Sequence, residues 1–311
     1  MNLSQLEYIL AVDKHRHFVK AADACFVTQA TLSMMIRKLE EELEIKIFDR
    51  SRQPVMPTEQ GQQVIAQAQV ILRETQQLRE ITAAHKGKLT GEIRLGIIPT
   101  LAPYLLPLFL HGFLRKHPGI KMHISELTTD EIIRKLERNE LDAGLLAVPL
   151  PNASLHCRTL FYEEFVVYAS AEEKLMRKQF ILAKDIDVSR LWLLEEGHCL
   201  RSQVVNLCEL KAQEKEVHQL DFAAGSIETL KIIVDINKGI TIIPALAVKN
   251  LSAKQQKNIR RFKSPPPVRE IGLVTFRPFV KEKMMSALEK EILASVPEEM
   301  KYPTRKEVIK L

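Results

Sequence analysis

The chain has 311 residues, 46% of them hydrophobic and 27% charged, which is enough for two or three units with proper cores. Its opening MNLSQLEYIL lacks a basic leader, and its most apolar run, LAPYLLPLFLHGFL, is interrupted by Pro103, Pro107 and His111. Neither a signal peptide nor a membrane span is expected, and the protein is placed in the cytoplasm. Four cysteines without CxxC or Cys/His spacing argue against a disulfide framework and a zinc site; the net charge of +6 gives no sign of a DNA-binding N-terminus, because residues 1–62 hold eight Lys/Arg against nine Asp/Glu while residues 249–311 hold fifteen against seven.

The first sixty residues read as short helices. LSQLEYILAV is apolar at helical spacing, and HFVKAADACF sets Phe18, Ala21, Ala22 and Cys25 along one side. In TQATLSMMIRKLEEEL, Leu32, Ile36, Leu39 and Leu43 form a narrow stripe that must face a core, with Thr28 as N-cap. The opposite face carries Ala30, Thr31, Ser33, Met34, Arg37 and Lys38. Small, hydroxylated and cationic residues there suit a DNA major groove, and equally the solvated face of an ordinary three-helix unit. FDRSRQPVMPTEQG, with Arg50 and Arg52 beside two prolines, reads as a short β-wing able to lie on phosphates. From Thr58 to about His85 a helix ~40 Å long is expected. Its residues Val64, Ala68, Ile71, Thr75, Leu78 and Thr82 make a coiled-coil seam that no neighbouring sequence is available to cover, so it would pair two copies.

HKGKLTG reads as a linker, after which β-rich runs alternate with helices: EIRLGII, KMHISEL, DAGLLAV, EFVVYAS, LWLLE, VHQLDFA, GITIIPA and EIGLVTF. The expectation is an α/β domain with mainly parallel sheets, divided into two lobes around a cleft. Gly239 is a good stop for the helix in SIETLKIIVDINK. No GxGxxG or P-loop is present, so no nucleotide or other cofactor is expected.

Beyond the strand ends converge Thr100, Thr128, Thr129, His198 and Cys199. Either threonine of the 128–129 pair taken alone is better explained as a helix cap. A cysteine at a helix N-terminus, with Arg201 and His198 nearby, is expected to favour thiolate, the nucleophile toward peroxide. Cys208 continues the apolar stripe of Leu200 and Val204 and should be buried and protonated. On a helix, Cys199 and Cys208 lie ~13.5 Å apart along the axis, too far for a disulfide, which needs Cα atoms within about 7 Å. The spacing is therefore either without meaning or marks a pair that joins only when the helix is dismantled. Cys25 and Cys157 read as structural, and His15 and His17 as surface residues rather than a metal site.

The run AADACFVTQATLSMMIRKLEEELEIKIFDR followed by PTEQG resembles the winged helix-turn-helix of LysR-type transcriptional regulators. IPTLAPYLLP, GHCLRSQVVNLC, SIETL, GITIIPALAV and REIGLV extend the likeness over nearly the whole chain and toward the peroxide-sensing members of that family. The resemblance implies an α-rich winged helix-turn-helix at 1–62, a dimerisation helix at 63–88, and an α/β, two-lobed, periplasmic-binding-protein-like regulatory domain at 89–302. Lobe I would span about 89–163 and 268–302 and lobe II about 164–267, with a tail at 303–311 that is expected to lack order.

Carried onto this sequence, the resemblance implies Cys199 as the peroxide-reactive residue and Cys208 as its resolving disulfide partner, with Thr100, Thr129, His198 and Arg269 around the peroxide. Gln29, Thr31, Ser33, Arg37, Lys38 and Arg50 would contact DNA. Implied partners are a double-stranded operator, hydrogen peroxide, further copies of the chain as a dimer of dimers, RNA polymerase and a thiol–disulfide reductant. The chain departs from the family at Ala30, usually proline, at Glu44, usually glycine, and at Val268, usually basic. Two rival readings are a LysR-type regulator that binds a metabolite in its cleft and a thiol peroxidase.

Overall fold

Asn2 caps the first helix through a reciprocal capping box with Gln5, and α1 (Leu3–His15) ends where Arg16 turns left-handed at φ 52°. α2 (Phe18–Ala24) and α3 (Gln29–Glu42) follow, α3 capped by Thr28, whose hydroxyl accepts from the Thr31 amide. β1 (Phe48–Asp49) and β2 (Met56–Pro57) pair antiparallel as the wing, and α4 (Glu59–Ala84) runs 26 residues, ~39 Å. This computed structural model describes residues 1–84, 89–150, 154–208, 224–276, 281–302 and 307–309, which divide into units of residues 1–88 and 89–311.

In the first unit the predicted stripe is buried at Leu32, Ile36 and Leu39, against Leu6, Ile9, Val12, Ala21, Ala22, Ile47 and Phe48. Leu43 falls at the C-cap and stays exposed. Glu44 then adopts φ 54°, so it carries the left-handed turn that glycine would take without strain, at a cost of roughly 1–2 kcal/mol. Gly61 is held by contact, since a Cβ there would lie 2.0 Å from the Ile47 carbonyl oxygen. The expected seam of α4 is only partly open: Val64, Ala68 and Ile71, with Ile65 and Leu72, pack into this unit's own core, while Leu78 is 65% exposed. A neighbour therefore does cover the first half, because α4 lies along α1.

The second unit begins with β3 (Gly91–Ile97), α5 (Ala102–Lys116), β4 (Ile120–Glu126), α6 (Thr129–Glu137) and β5 (Ala143–Val148). β6 (His156–Ala169), β7 (Phe180–Ile181), α7 (Cys199–Leu207), α8 (Ile227–Asn237) and β8 (Ile240–Pro244) follow, then α9 (Ala253–Gln256), β9 (Ile259–Phe262), β10 (Pro267–Thr275), α10 (Glu282–Ser295) and β11 (Glu307–Val308). The strands run in the order β4-β3-β5-β10-β6-β9-β7, with β8 on β6 and β11 on β10. β3 pairs parallel with β4 and β5, as crossovers through α5 and α6 require.

The expected mainly parallel sheets are corrected to a mixed arrangement. β10 is antiparallel to both β5 and β6, and β6 is antiparallel to β8 and β9, because β10 brings the chain back between strands already laid down. The long β6 joins the two lobes: its residues through Glu164 pair with β10, and Phe165–Ala169 pair with β8.

LWLLE forms isolated bridges rather than a strand. Leu191 pairs with Ile240 and Leu194 with Ala224, two separate partners that cannot continue one ladder. VHQLDFA and most of HKGKLTG lie outside the described residues. The described part of the tail is ordered by β11, which pairs parallel with Pro267 and Val268, and Gln203 Nε2 donates to the Ile309 carbonyl at 3.2 Å. Cys25 is half-buried against the first core, but Cys157 is exposed, at the start of β6 where His156 and Thr159 are exposed as well.

Candidate thiol site and DNA-facing surface

Gly197, at φ 92°, turns the chain beside Thr128, and Cys199 follows as the first residue of α7. Its side chain is buried. Burial pushes the thiol above its ordinary value; the positive charge of Arg269, the Thr129 hydroxyl and the backbone amides of Leu200 and Ala147 oppose that rise without cancelling it. The expected low-pKa cysteine is therefore corrected to a thiol held protonated at rest. The cation that helps it is Arg269 and not Arg201, whose Nη1 donates to the Leu194 carbonyl at 2.8 Å.

Arg269 is fully buried on β10. Its Nε and Nη2 donate to Glu163 Oε2 at 2.9 and 2.8 Å, its Nη1 to Thr100 Oγ1 at 3.0 Å, and its Nη2 to the Thr100 carbonyl at 3.1 Å. Glu163 Oε1 accepts from the Leu246 amide at 2.9 Å, so the carboxylate is satisfied from both lobes. A buried ion pair of this kind is tolerable only because nearly every lone pair and donor is used.

Of the residues expected around the thiol, Thr100, Thr129 and Arg269 are brought together with Cys199. Thr129 Oγ1 is buried and makes no hydrogen bond of ordinary geometry. Thr128 instead caps α6 in a capping box with Glu131. His198 is buried, with Nε2 3.6 Å from Glu195 Oε1, and gives α7 no side-chain cap. Cys208, the C-cap of α7, is half-buried rather than fully so, and burial pushes its thiol up to about 11.

Both thiols are free, and α7 stands intact between them. Glu163 escaped the sequence reading. Its signal was the alternation Phe161, Glu163, Phe165, which sets a carboxylate on the buried face of a strand.

On the first unit, Gln29, Thr31, Arg37 and Lys38 are exposed on α3 and Ser33 is half-buried. Arg37 pairs with Glu41 at 2.9 Å. Arg50 is tied down: Nη2 meets Glu40 Oε2 at 3.0 Å, Nη1 donates to Ser33 Oγ at 3.2 Å, and the guanidinium lies 5.0 Å over the Phe18 ring. Glu40 is buried and also accepts the amides of Ile47 and Phe48. The wing arginine thus braces the wing on α3.

Residues 3–62 match the bacterial regulatory helix-turn-helix proteins of the lysR family, and residues 86–290 match the LysR substrate binding domain. The chain is 34% identical over 278 residues to the hydrogen peroxide-inducible genes activator of Dickeya chrysanthemi, covering 89% of this chain and 90% of that protein. The structure of full-length OxyR C199D from Pseudomonas aeruginosa superposes with a TM-score of 0.75 at 31% identity, over 95% of this chain and 99% of that one. A cysteine-to-serine mutant of Corynebacterium glutamicum OxyR, described as H2O2-bound, superposes with a TM-score of 0.62 at 25% identity, over 94% and 92%. With a helix-turn-helix unit and a two-lobed α/β regulatory unit both matched, this chain belongs to the LysR family of bacterial transcription regulators.

Proposed function

We propose that the chain is a DNA-binding regulator that senses hydrogen peroxide at Cys199. The observation that carries the reading is the convergence, in one buried place, of a thiol, the Arg269 cation and the Thr129 hydroxyl, which acts on the sulfur and meets no nitrogen or oxygen partner. That hydroxyl and the guanidinium are the groups available to hold a peroxide. Relatives named for peroxide induction and a neighbour described with H2O2 bound support the same reading.

The Cys199 thiol gives up its proton, and the resulting thiolate attacks one peroxide oxygen. The S–O bond forms as the O–O bond breaks, and the departing hydroxide takes up the proton that the thiol released and leaves as water, with sulfenic acid on Cys199. The Cys208 thiol then attacks that sulfur and expels a second water, so two thiols reduce one peroxide and become one disulfide. Because α7 holds the pair ~13.5 Å apart along its axis, the second step requires the helix to unwind, and the regulatory domain takes a second shape. A thiol–disulfide reductant resets it.

Residues 1–62 would read the operator through the exposed side of α3, and the outer half of α4, with Leu78 exposed, would pair two chains. Two such pairs would form the dimer of dimers, whose change of shape moves the DNA-binding heads and the contact with RNA polymerase. The test is footprinting on duplexes selected from a random library, before and after one equivalent of peroxide. The footprint should change in the native chain and stay fixed in Cys199→Ser; a change that persists in Cys199→Ser removes peroxide sensing at this residue.

A further inference from the structure

Glu163 is bonded to Arg269, and its place is also fixed independently of that bond. It sits on the inward face of β6 between Phe161 and Phe165, fully buried, with Oε1 held by the Leu246 amide at 2.9 Å. Its other oxygen takes two of the guanidinium's donors, Nε at 2.9 Å and Nη2 at 2.8 Å. Thr100 takes two more. A guanidinium has five N–H donors, so these two residues leave one, on Nη1.

The same carboxylate that aims the fork also opposes its charge. A cation beside a sulfur favours thiolate in proportion to the potential it makes there, and a carboxylate bonded to that cation subtracts from the potential. We propose that Glu163 is the positioning residue of this site: by holding Arg269 through Nε and Nη2, it sets how much positive charge reaches the Cys199 sulfur, and so the peroxide level at which the site reacts. Other polar or charged groups around the site are Tyr104 on α5, whose hydroxyl donates to Glu228 Oε1 at 2.7 Å, Lys231 on α8, which binds the same oxygen at 2.7 Å, and His198 with Glu195 ahead of α7. None of these is hydrogen-bonded to Arg269; among the described residues its partners are Glu163, which carries charge, and Thr100, which does not. The inference rests on Cys199 being the reactive thiol of the proposed function.

The experiment is a charge cycle in the full-length protein: native, Glu163→Gln, Arg269→Gln and the double variant, each paired with its Cys199→Ser form. The pH midpoint of thiolate ultraviolet absorbance, taken as the difference within each pair, is read together with the rate of Cys199 oxidation by peroxide. Glu163→Gln should lower the midpoint, a shift of about one unit being about tenfold in thiolate at fixed pH. Arg269→Gln should raise it, and the double variant should return close to native. A purely structural role would not produce opposite signs that cancel.

A midpoint unmoved by Glu163→Gln in folded protein overturns the inference. Should the unpaired buried arginine prevent folding, the double variant, which buries neither charge, carries the test: its midpoint must lie below that of Arg269→Gln, and equality overturns the inference. Midpoints that move as stated in a protein whose Cys199 peroxide leaves reduced support the charge relation and retire the peroxide reading.

Discussion

Thr100 Oγ1 accepts a 3.0 Å hydrogen bond from Arg269 Nη1, joining residues 169 positions apart at a buried site. The loop after β3 and the start of β10 are thereby fixed to one another beside the thiol. Replacing Thr100 by valine strands a buried charged donor, which costs roughly 1–3 kcal/mol. Urea unfolding of the regulatory unit, followed by the fluorescence of Trp192, the single tryptophan, should show that loss. An unchanged midpoint would mean the bond contributes nothing.

Thr129 should behave in the opposite way. Its hydroxyl is buried and meets no nitrogen or oxygen partner, so Thr129→Val should leave stability unchanged or raise it, because the methyl removes an uncompensated buried polar group. If the hydroxyl instead holds peroxide or the departing hydroxide, oxidation of Cys199 should slow about 10- to 100-fold, the worth of one hydrogen bond to a charged group. Thr129→Ser should restore the rate. Stopped-flow oxidation of the three proteins decides the point.

The two thiols predict a pH dependence of definite sign. Burial raises Cys199, and raises Cys208 to about 11, so both stay protonated in the folded chain after an unfolded chain would have ionised them. A raised thiol contributes stability fully present below its unfolded pKa and lost as pH climbs through the folded one. For Cys208 that window runs from the ordinary thiol value of 9.0 to about 11. The rate of Cys199 oxidation should rise with pH beyond neutrality and keep rising past the ordinary thiol range. A rate already level at neutral pH would show a preformed thiolate.

Glu40 should matter to DNA binding without touching DNA. It accepts two backbone amides and the Arg50 guanidinium from a buried position, and Arg50 in turn reaches Ser33 on α3. Glu40 is buried but Arg50 is 39% exposed, so solvent screens the pair and losing the carboxylate charge costs less than in a fully buried pair, about 1–3 kcal/mol. Glu40→Gln should lower the melting temperature of the first unit and weaken operator binding across all sequences alike. A variant that binds normally would remove the brace as a condition for the wing.

The last strand should restrain the switch helix. β11 pairs with Pro267 and Val268, next to Arg269, while Ile309 accepts the hydrogen bond from Gln203 on α7. Deleting residues 303–311 should therefore speed disulfide formation once Cys199 is oxidised. An unchanged rate would show that the tail does not resist the unwinding of α7.

What could be read from the sequence was mostly local. The α3 stripe, its Thr28 cap and the wing follow from spacing and turn chemistry within a few residues, and the structure has Leu32, Ile36 and Leu39 in the core. Strand direction was not legible, because β10 is antiparallel to β5 and β6 only through a return from the far lobe. The thiol's surroundings divided the same way. Cys199 at a helix start was visible in GHCLR, but nearness in sequence favoured Arg201, which turns to a backbone carbonyl, over Arg269, which arrives from another strand with Glu163 attached. Arg50 was expected on phosphate because a wing arginine is basic and exposed in sequence; its partner Glu40 looked like one more residue of an acidic helix end.

The central claim is that Cys199 and Cys208 are a peroxide-driven pair. Its most direct test is intact-mass analysis and peptide mapping after brief treatment with one equivalent of hydrogen peroxide at neutral pH. The account predicts rapid loss of two hydrogens, mapped to a bond between Cys199 and Cys208 and absent from Cys199→Ser. Thiols that remain free, or slow oxidation that falls on the exposed Cys157 and spares Cys199, would contradict it.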